Sequence, residues 1–178
     1  MESVLDRVIK QNTENVNLLK TKDYNIFSVL QIQSKEVLIC RMIADLLNPR
    51  GQHGAGAEYL KIFLRDCLGM EKMDTKLADQ AIVTAEYAID DERRIDIVIE
   101  IGSYFLPIEV KIYAADQKSQ CFDYYQYAKR RDAQAKVYYL TLDGHRPGKN
   151  STSSGNRSVT EEDIVCLSFR EHILNWLK

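Results

Sequence analysis

The chain has 178 residues, of which 45% are hydrophobic and 28% charged, and its formal net charge is −2. This size and apolar content predict one globular domain with a hydrophobic core, and the charge excludes a histone-like polycation. No apolar run approaches the roughly 18 residues of a membrane span, so we predict a cytoplasmic protein without a membrane partner. The four cysteines form no CxxC pair, which favours reduced, buried thiols over a zinc site.

Helical spacing dominates the first part of the chain. Residues 34–49 place Val37 and other apolar side chains on one stripe, and Asn48-Pro49 ends the pattern. A second helix is predicted over residues 57–69, where Gly69 stands at the position of a C-terminal cap. Before them, residues 1 to about 20 show a weaker amphipathic pattern.

Strand-like alternation begins near residue 80. Residues 81–89, 94–101 and 104–112 are rich in β-branched and aromatic side chains. Gly102-Ser103 separates the last two segments and suits a two-residue hairpin turn. These segments predict a three-stranded antiparallel unit.

The rest of the chain alternates between helical and strand-like patterns. The predicted elements are a helix over 115–131, a strand over 136–142, a mobile loop over 144–160, a strand over 163–169 and a helix over 170–178. Ser168 and Glu171 form a capping box for the last helix. The order of elements predicts an α/β (α+β) fold, a mixed central sheet flanked by helices.

We assign residues 1–178 to one domain. Within it, residues 1–33 are predicted as an N-terminal helical segment and residues 34–177 as the core.

The hairpin turn also predicts which side chains face each other. If Ile101 pairs with Tyr104, then Ile95 pairs with Val110, and this face of the hairpin is apolar. On the opposite face, the same register pairs the following residues: Glu100 with Phe105, Val98 with Pro107, Asp96 with Glu109, and Arg94 with Lys111. Pro107 cannot donate to a ladder, and a bulge at this proline would shift the pairing by one residue.

Two carboxylates therefore lie side by side. Opposed like charges destabilise a sheet unless another group offsets them, and a bound cation would do so. Mg²⁺ prefers such oxygen ligands, lowers the pKa of a bound water and neutralises charge on phosphate oxygens. Equally, Asp96 and Glu109 could be surface carboxylates neutralised by Arg94 and Lys111.

Asp96, followed on the next strand by Glu109-Val110-Lys111, resembles the PD-(D/E)XK nuclease superfamily. Glu36, Asn48-Pro49 and Gly51-Gln52-His53-Gly54 resemble the opening helix of a bacterial branch of this superfamily. Four later blocks are similar to that branch too: RRIDIVIE, IEVKIYAADQKSQ, VYYLTLDG and IVCLSFREHILNWL. Blocks in the right order are more specific than the short motif alone.

The resemblance implies a restriction-endonuclease-like fold and a metal site. Asp96, Glu109 and the backbone carbonyl of Val110 would bind Mg²⁺, with Mn²⁺ as a substitute. Lys111 would orient or help to deprotonate the attacking water and stabilise charge. Glu36 would approach the same metal, directly or through a water.

The resemblance also implies substrate contacts. Gln117 and Gln120, predicted on the helix after the lysine strand, would face the site. His53 lies in a Gly-rich turn, where it could hold the turn by a hydrogen bond or contact phosphate. The chain departs from the branch at Ile39 and Cys40, where His and Ser are common, and at Val110, where Asn is common.

The function implied is Mg²⁺-dependent hydrolysis of DNA phosphodiester bonds, with a homodimer if both strands are cut. One alternative is a catalytically silent nuclease-fold module for DNA binding or assembly in a defence or mobile-element system. Another is a hydrolase of RNA or nucleotides. Residues 129–157 hold seven Lys or Arg against two Asp or Glu, an excess that suits either a nucleic-acid backbone or solvent.

Overall fold

The computed structural model describes residues 35–71 and 73–178. Its helices are α1 (Glu36–Leu47), α2 (Glu58–Asp66), α3 (Thr75–Ala78), α4 (Gln120–Arg131), α5 (Lys149–Thr152) and α6 (Leu174–Trp176). Its strands are β1 (Ile82–Ala88), β2 (Arg94–Ile101), β3 (Tyr104–Lys111), β4 (Val137–Thr141), β5 (Ser153–Ser154), β6 (Arg157–Ser158) and β7 (Ile164–Ser168). The predicted N-terminal helix and the segment 1–33 lie outside the described residues.

Five strands form one mixed sheet in the order β1-β2-β3-β4-β7. The β1–β2 and β2–β3 pairs are antiparallel, whereas β3–β4 and β4–β7 are parallel. The parallel β3–β4 pair needs a crossover connection, and α4 supplies it. None of the described helices is long and apolar enough to cross a membrane.

Helices α1 and α2 cover one face of the sheet. The α1 stripe buries Cys40, Ile43, Ala44 and Leu47 as its spacing predicts, but Val37 in the first turn is 42% exposed. These side chains join a core with Ile97, Ile99 and Ile101 of β2. The amphipathic pattern of α1 therefore fixes which side of the sheet the helix covers.

The end of α2 follows the predicted cap. Gly69 has φ of +66°, and beyond it the Met70 N–H donates to the Leu64 carbonyl at 2.8 Å. This i to i−6 bond is typical of a Schellman motif, in which glycine adopts the left-handed conformation without steric cost.

Helix α4 covers the opposite face. Tyr124 and Ala128 of α4 pack with Val98 and Phe105 of the hairpin. A neighbouring cluster joins the start of α4 to β4 and β7. Residues that alternate along β2 and β3 thus contribute to two different cores, one on each face.

The hairpin register is as predicted up to Ile97, which pairs with Ile108. Pro107 causes no shift, and it pairs with Val98. The β3–β4 ladder begins only at Ile108, so the missing N–H of the proline interrupts neither ladder.

The prediction of a mobile loop over 144–160 is wrong. This segment forms α5 and the β5–β6 hairpin, and it is bonded to the residue before α4. The Ser119 N–H donates to the Asn150 carbonyl at 2.7 Å, and Ser119 Oγ donates to the Ser153 carbonyl at 2.8 Å. Polar residues that suit a solvated loop also suit such bonds to backbone, and here the bonds order the segment.

Two predicted helices have different bounds in the structure. The helix predicted over 115–131 begins only at Gln120, after Ser119 with φ of +58°. The final helix is a π-helical turn, Phe169–Ile173, followed by the short α6. Half of the predicted capping box is present, since Ser168 Oγ accepts from the Glu171 N–H at 3.2 Å. The Ser168 N–H donates to His172 Nδ1 at 3.1 Å, in place of the Glu171 side chain.

We expect Ser151→Ala to lower the free energy of unfolding by about 1–3 kcal/mol, because it leaves a buried N–H without an acceptor. Ser151 is fully buried, and its Oγ accepts from the Cys121 N–H at 3.2 Å in the first turn of α4. Urea denaturation measures the change. The control is Ser158→Ala, an exposed serine of the same segment, and equal losses in both variants would contradict the assignment.

Candidate metal and active site

The candidate site lies where the pairing of β2 with β3 stops. Beyond the Ile97–Ile108 pair, the predicted Asp96–Glu109 backbone pair is absent from the ladder of these described strands. Instead, the Asp96 carboxylate takes the place of a backbone partner, and its Oδ2 accepts from the Val110 N–H at 2.8 Å. The side chains of Asp96 and Glu109 still come together, close enough to interact strongly.

The prediction that Ile95 shares the apolar face with Ile97 is wrong. Ile95 packs with Val98 and Phe105 under α4, whereas Ile97 packs under α1. The strand therefore turns at Asp96, and the expected alternation does not continue past this residue.

Glu109 is the most enclosed acid of the site. It is 1% exposed, and Lys111 Nζ lies 2.7 Å from its Oε1, so the two groups form a buried ion pair. Among the described residues no hydrogen-bond donor satisfies Oε2. A buried carboxylate with an unsatisfied oxygen is costly and needs a further partner.

Burial and the neighbouring Asp96 raise the pKa of Glu109 well above its ordinary value. Burial also raises the pKa of Asp96, and the Val110 N–H only partly opposes this. For Lys111, burial lowers the pKa, but Glu109 raises it more, so the ammonium form is stabilised. Burial and mutual repulsion thus oppose the ionisation of both acids, whereas the neighbouring acids favour the charged lysine.

Glu36 binds the backbone that follows β3. Its Oε1 accepts three backbone N–H bonds of 2.7–3.0 Å, from Ile112, Tyr113 and Ala114. Burial raises the pKa of Glu36, but these donors and Lys111 outweigh burial and hold it below its ordinary value. Glu36 lines the same cleft as the other acids, but one of its oxygens is already occupied.

The two glutamines have different surroundings. Gln120 opens α4 and is buried, and its Nε2 donates to the Tyr124 hydroxyl at 3.1 Å. Gln117 is exposed and lies in the loop before α4, which corrects its predicted place on the helix. Its Oε1 accepts from Arg93 Nη1 at 3.0 Å.

Arg93 and Tyr124 were not singled out from the sequence as site residues. Arg93 also donates to the Lys118 carbonyl at 2.6 Å and so holds the loop that carries Gln117. The Tyr124 hydroxyl donates to the Arg94 carbonyl beside Asp96. An arginine after a polar turn and a tyrosine on an apolar helix face have no sequence signal that distinguishes these contacts.

His53 does not line this cleft. Its ring holds the predicted turn, because Nε2 contacts the Asn48 carbonyl at 3.1 Å and Nδ1 accepts from the Ala55 N–H at 3.1 Å. The second bond requires an unprotonated Nδ1, so Nε2 carries the proton and donates. The structural role of His53 is therefore the one that the geometry supports, and the predicted phosphate contact is not.

These residues line a polar cleft of about 280 Å³. Its walls carry carboxylates from α1, β2 and β3, the Lys111 ammonium group, and both glutamines. A second cleft, of about 270 Å³, lies beside α2 and shares no lining residue with it.

The donor set fits a hard divalent cation. Across residues 35–71 and 73–178, no group of three or more His, Cys, Asp or Glu side chains is placed to hold a metal ion by itself. Mg²⁺ does not need one, because it is commonly bound by one or two carboxylates and otherwise by water and substrate oxygens. The Glu109 carboxylate, whose Oε2 has no donor among the described residues, and the neighbouring Asp96 are the groups that such an ion would satisfy.

The mixed sheet with helices on both faces is a restriction-endonuclease-like α/β fold, as predicted. A family model for the PD-(D/E)XK nuclease superfamily matches residues 24–178, and the chain belongs to this superfamily. The resemblance is thus confirmed at the level of the superfamily, and the bacterial branch stays a prediction. No curated protein and no solved structure matched the chain.

We expect Glu109→Gln to stabilise the metal-free protein at neutral pH by about 1 kcal/mol, because a neutral side chain replaces a buried acid whose ionisation opposes folding. The folded-state pKa of Glu109 is raised, so its contribution to stability is greatest at low pH and declines as the pH rises from its ordinary pKa through the raised one. Lys111 keeps Asp96 and Glu36 as neighbouring acids. Thermal unfolding from pH 4 to pH 8 with EDTA should show a smaller decline for the variant than for the wild type. A larger decline in the variant would contradict the burial argument.

Proposed function

We propose that this protein is a Mg²⁺-dependent nuclease that hydrolyses DNA phosphodiester bonds, with Mn²⁺ as a substitute metal. The observation that carries the proposal is the buried Glu109 carboxylate, unsatisfied at Oε2, between Asp96 and Lys111. It supports the proposal because it lies in an open polar cleft of a protein from a nuclease superfamily.

Asp96, Glu109 and the Val110 carbonyl are the groups that would hold the cation. When bound, Mg²⁺ would supply positive charge to the phosphate oxygens and lower the pKa of a water molecule. One oxygen of Glu36 is engaged by backbone N–H groups, so only Oε2 is left to approach the cation, directly or through water.

The geometry favours one of the two roles predicted for Lys111. In the metal-free protein the Glu109, Asp96 and Glu36 carboxylates raise its pKa and favour the ammonium form. Because it is 7% exposed and held by Glu109, its charge is fixed in place before substrate binds. We therefore propose that Lys111 orients the attacking water and stabilises negative charge on the phosphate in the transition state.

Gln117 and Gln120 act differently in this proposal. Gln117 is exposed at the rim of the cleft, and Arg93 binds only its carbonyl oxygen, which leaves its NH₂ group for a phosphate. Gln120 is buried and bonded to Tyr124, so it supports the floor of the cleft.

The basic excess over residues 129–157 is partly neutralised within the fold. Arg131 is paired with Glu100, Lys129 with Asp163, and Arg146 with Glu161. A DNA track along this segment therefore depends on fewer free charges than the sequence count implies.

A homodimer, which would place two sites on a duplex, is part of the proposal and is tested by sedimentation.

Lys111→Ala should lower the rate of plasmid nicking about 100- to 1,000-fold, because it removes a preorganised charge from the transition state. DNA binding, measured by gel shift in Ca²⁺, should change little by comparison. Lys136→Ala, an exposed lysine before β4, is the matched control. Full nicking activity in Lys111→Ala would refute the proposed role of this lysine.

Asp96→Asn should weaken Mn²⁺ binding about 10- to 100-fold, since the amide can still accept from Val110 but no longer carries charge. Isothermal titration calorimetry measures this loss, and the plasmid assay should show a parallel loss of cleavage. Asp91→Asn, in the exposed turn after β1, is the control. A wild-type protein that binds Mn²⁺ and DNA without cutting any substrate would favour the silent binding module.

The same assay distinguishes the substrate classes. Duplex DNA, single-stranded DNA and RNA of one sequence are compared at equal concentration with Mg²⁺. Preferential cleavage of RNA would overturn the DNA assignment and leave the metal site intact.

A further inference from the structure

Glu86 lies within β1 with φ of +54°, in the left-handed region. Non-glycine residues rarely adopt this conformation, and inside a strand it costs free energy. Among the described residues, only one other non-glycine residue, Ser119, has a positive φ. Backbone strain of this kind persists only where surrounding contacts impose it, and it clusters at functional sites.

Glu86 stands opposite Asp96. Ala85 pairs with Ile97 and Tyr87 pairs with Ile95, but the pair between them, Glu86 with Asp96, is absent from the described β1–β2 ladder. On the other side, the β2–β3 ladder ends at Ile97. Asp96 thus has no partner in either ladder of the described sheet: the β1–β2 ladder resumes at Ile95, whereas the β2–β3 ladder does not resume.

The missing pairs lie where the backbone of β2 rotates, at Asp96. Ile95 and Ile97, two residues apart, belong to cores on opposite faces of the sheet, whereas a regular strand would place them on the same face. Because the backbone rotates at Asp96, its side chain lies between the strands and reaches the Val110 N–H at 2.8 Å. A regular β2 would instead use the Asp96 backbone for pairing.

Contacts with α1 hold Glu86. Arg41 Nη2 lies 2.6 Å from Glu86 Oε2, and Nε lies 3.2 Å from the same oxygen. The pair is partly exposed and contributes modestly to stability. The ion pair links β1 to α1. The first residue of this helix, Glu36, in turn accepts from the Ile112 N–H after β3.

We propose that Glu86 is a positioning residue for the metal site. Its left-handed backbone keeps β1 from pairing with Asp96, and this frees Asp96 to turn its carboxylate toward Glu109 and Val110. Arg41 holds the strained conformation from α1. The inference rests on the proposed function, and it assigns the cation-binding geometry to a residue that does not touch the cation.

Three substitutions at residue 86 separate the backbone from the carboxylate. Glu86→Gly removes the carboxylate but accepts a positive φ without strain. Glu86→Val removes the same carboxylate, and its β-branched side chain disfavours a positive φ and favours the extended, paired conformation. Glu86→Ala disfavours the left-handed region more mildly. Thr84→Val, at the paired position opposite Val98, is the control for adding valine to β1.

The readouts are Mn²⁺ binding to the full chain by electron paramagnetic resonance, the unfolding temperature in EDTA, and the ¹⁵N–¹H shift of the Val110 amide in EDTA. Glu86→Val should weaken Mn²⁺ binding about 10- to 100-fold and move the Val110 signal, with an unfolding temperature equal to or above that of the wild type. Glu86→Gly and Thr84→Val should bind Mn²⁺ as the wild type does. Glu86→Ala should fall between the glycine and valine variants.

Equal Mn²⁺ affinity in Glu86→Val and the wild type would overturn the inference. Equal weakening in Glu86→Gly and Glu86→Val would also overturn it, because the carboxylate and not the backbone would then be responsible. If Glu86→Val does not fold, the other two variants decide the question. Tighter Mn²⁺ binding by Glu86→Gly than by Glu86→Ala would support the inference, and equal or reversed affinities would overturn it. A wild-type protein that fails to bind Mn²⁺ would refute the proposed function itself, which is a distinct result.

Discussion

Three carboxylates and one ammonium group line one cleft where the pairing of β2 with β3 stops, and two of these groups, Glu109 and Lys111, are buried. Glu109 has the Lys111 ammonium group at one oxygen and no donor at the other among the described residues, and Asp96 lies beside it. In the low dielectric of a protein interior, such a pair opposes folding. A protein tolerates such a cost where function requires it, and the large apolar cores on both faces of the sheet supply the compensating stability.

Elements that are distant in sequence together position the residues of this site. Glu36, at the first position of α1, binds the backbone of residues 112–114 after β3. Gln120 opens α4 on the opposite face, and Ser119 before it is held by the 149–153 segment. The geometry of the cleft therefore depends on both helical layers. A substitution that destabilises α5 or the first turn of α1 would change the site even if it replaced none of the acids.

Some of this arrangement could be predicted from the sequence and some could not. The Gly102-Ser103 turn and the alternating pattern specify the register, because a one-residue slip would expose the apolar face. The rotation at Asp96 had no comparable signal, since Glu86 is not a residue type that favours positive φ. Helical spacing continues back from α4 into the preceding loop, so the pattern does not place Gln117 outside the helix. Serine and asparagine suit both solvent and backbone hydrogen bonds, so the composition of residues 144–160 does not distinguish a mobile loop from an ordered one.

The charge of the cleft favours a cation in the proposed site. When ionised, Glu36, Asp96, Glu109 and Lys111 together carry two net negative charges, and with Glu92, Arg93 and Arg94 the lining carries one. Because burial and Asp96 raise the pKa of Glu109, protons and a cation would compete for the same oxygens. A site of this kind binds its metal more weakly as the pH falls, while Lys111 stays protonated throughout. The buried lysine thus gives a constant positive charge, and the acids alone respond to pH.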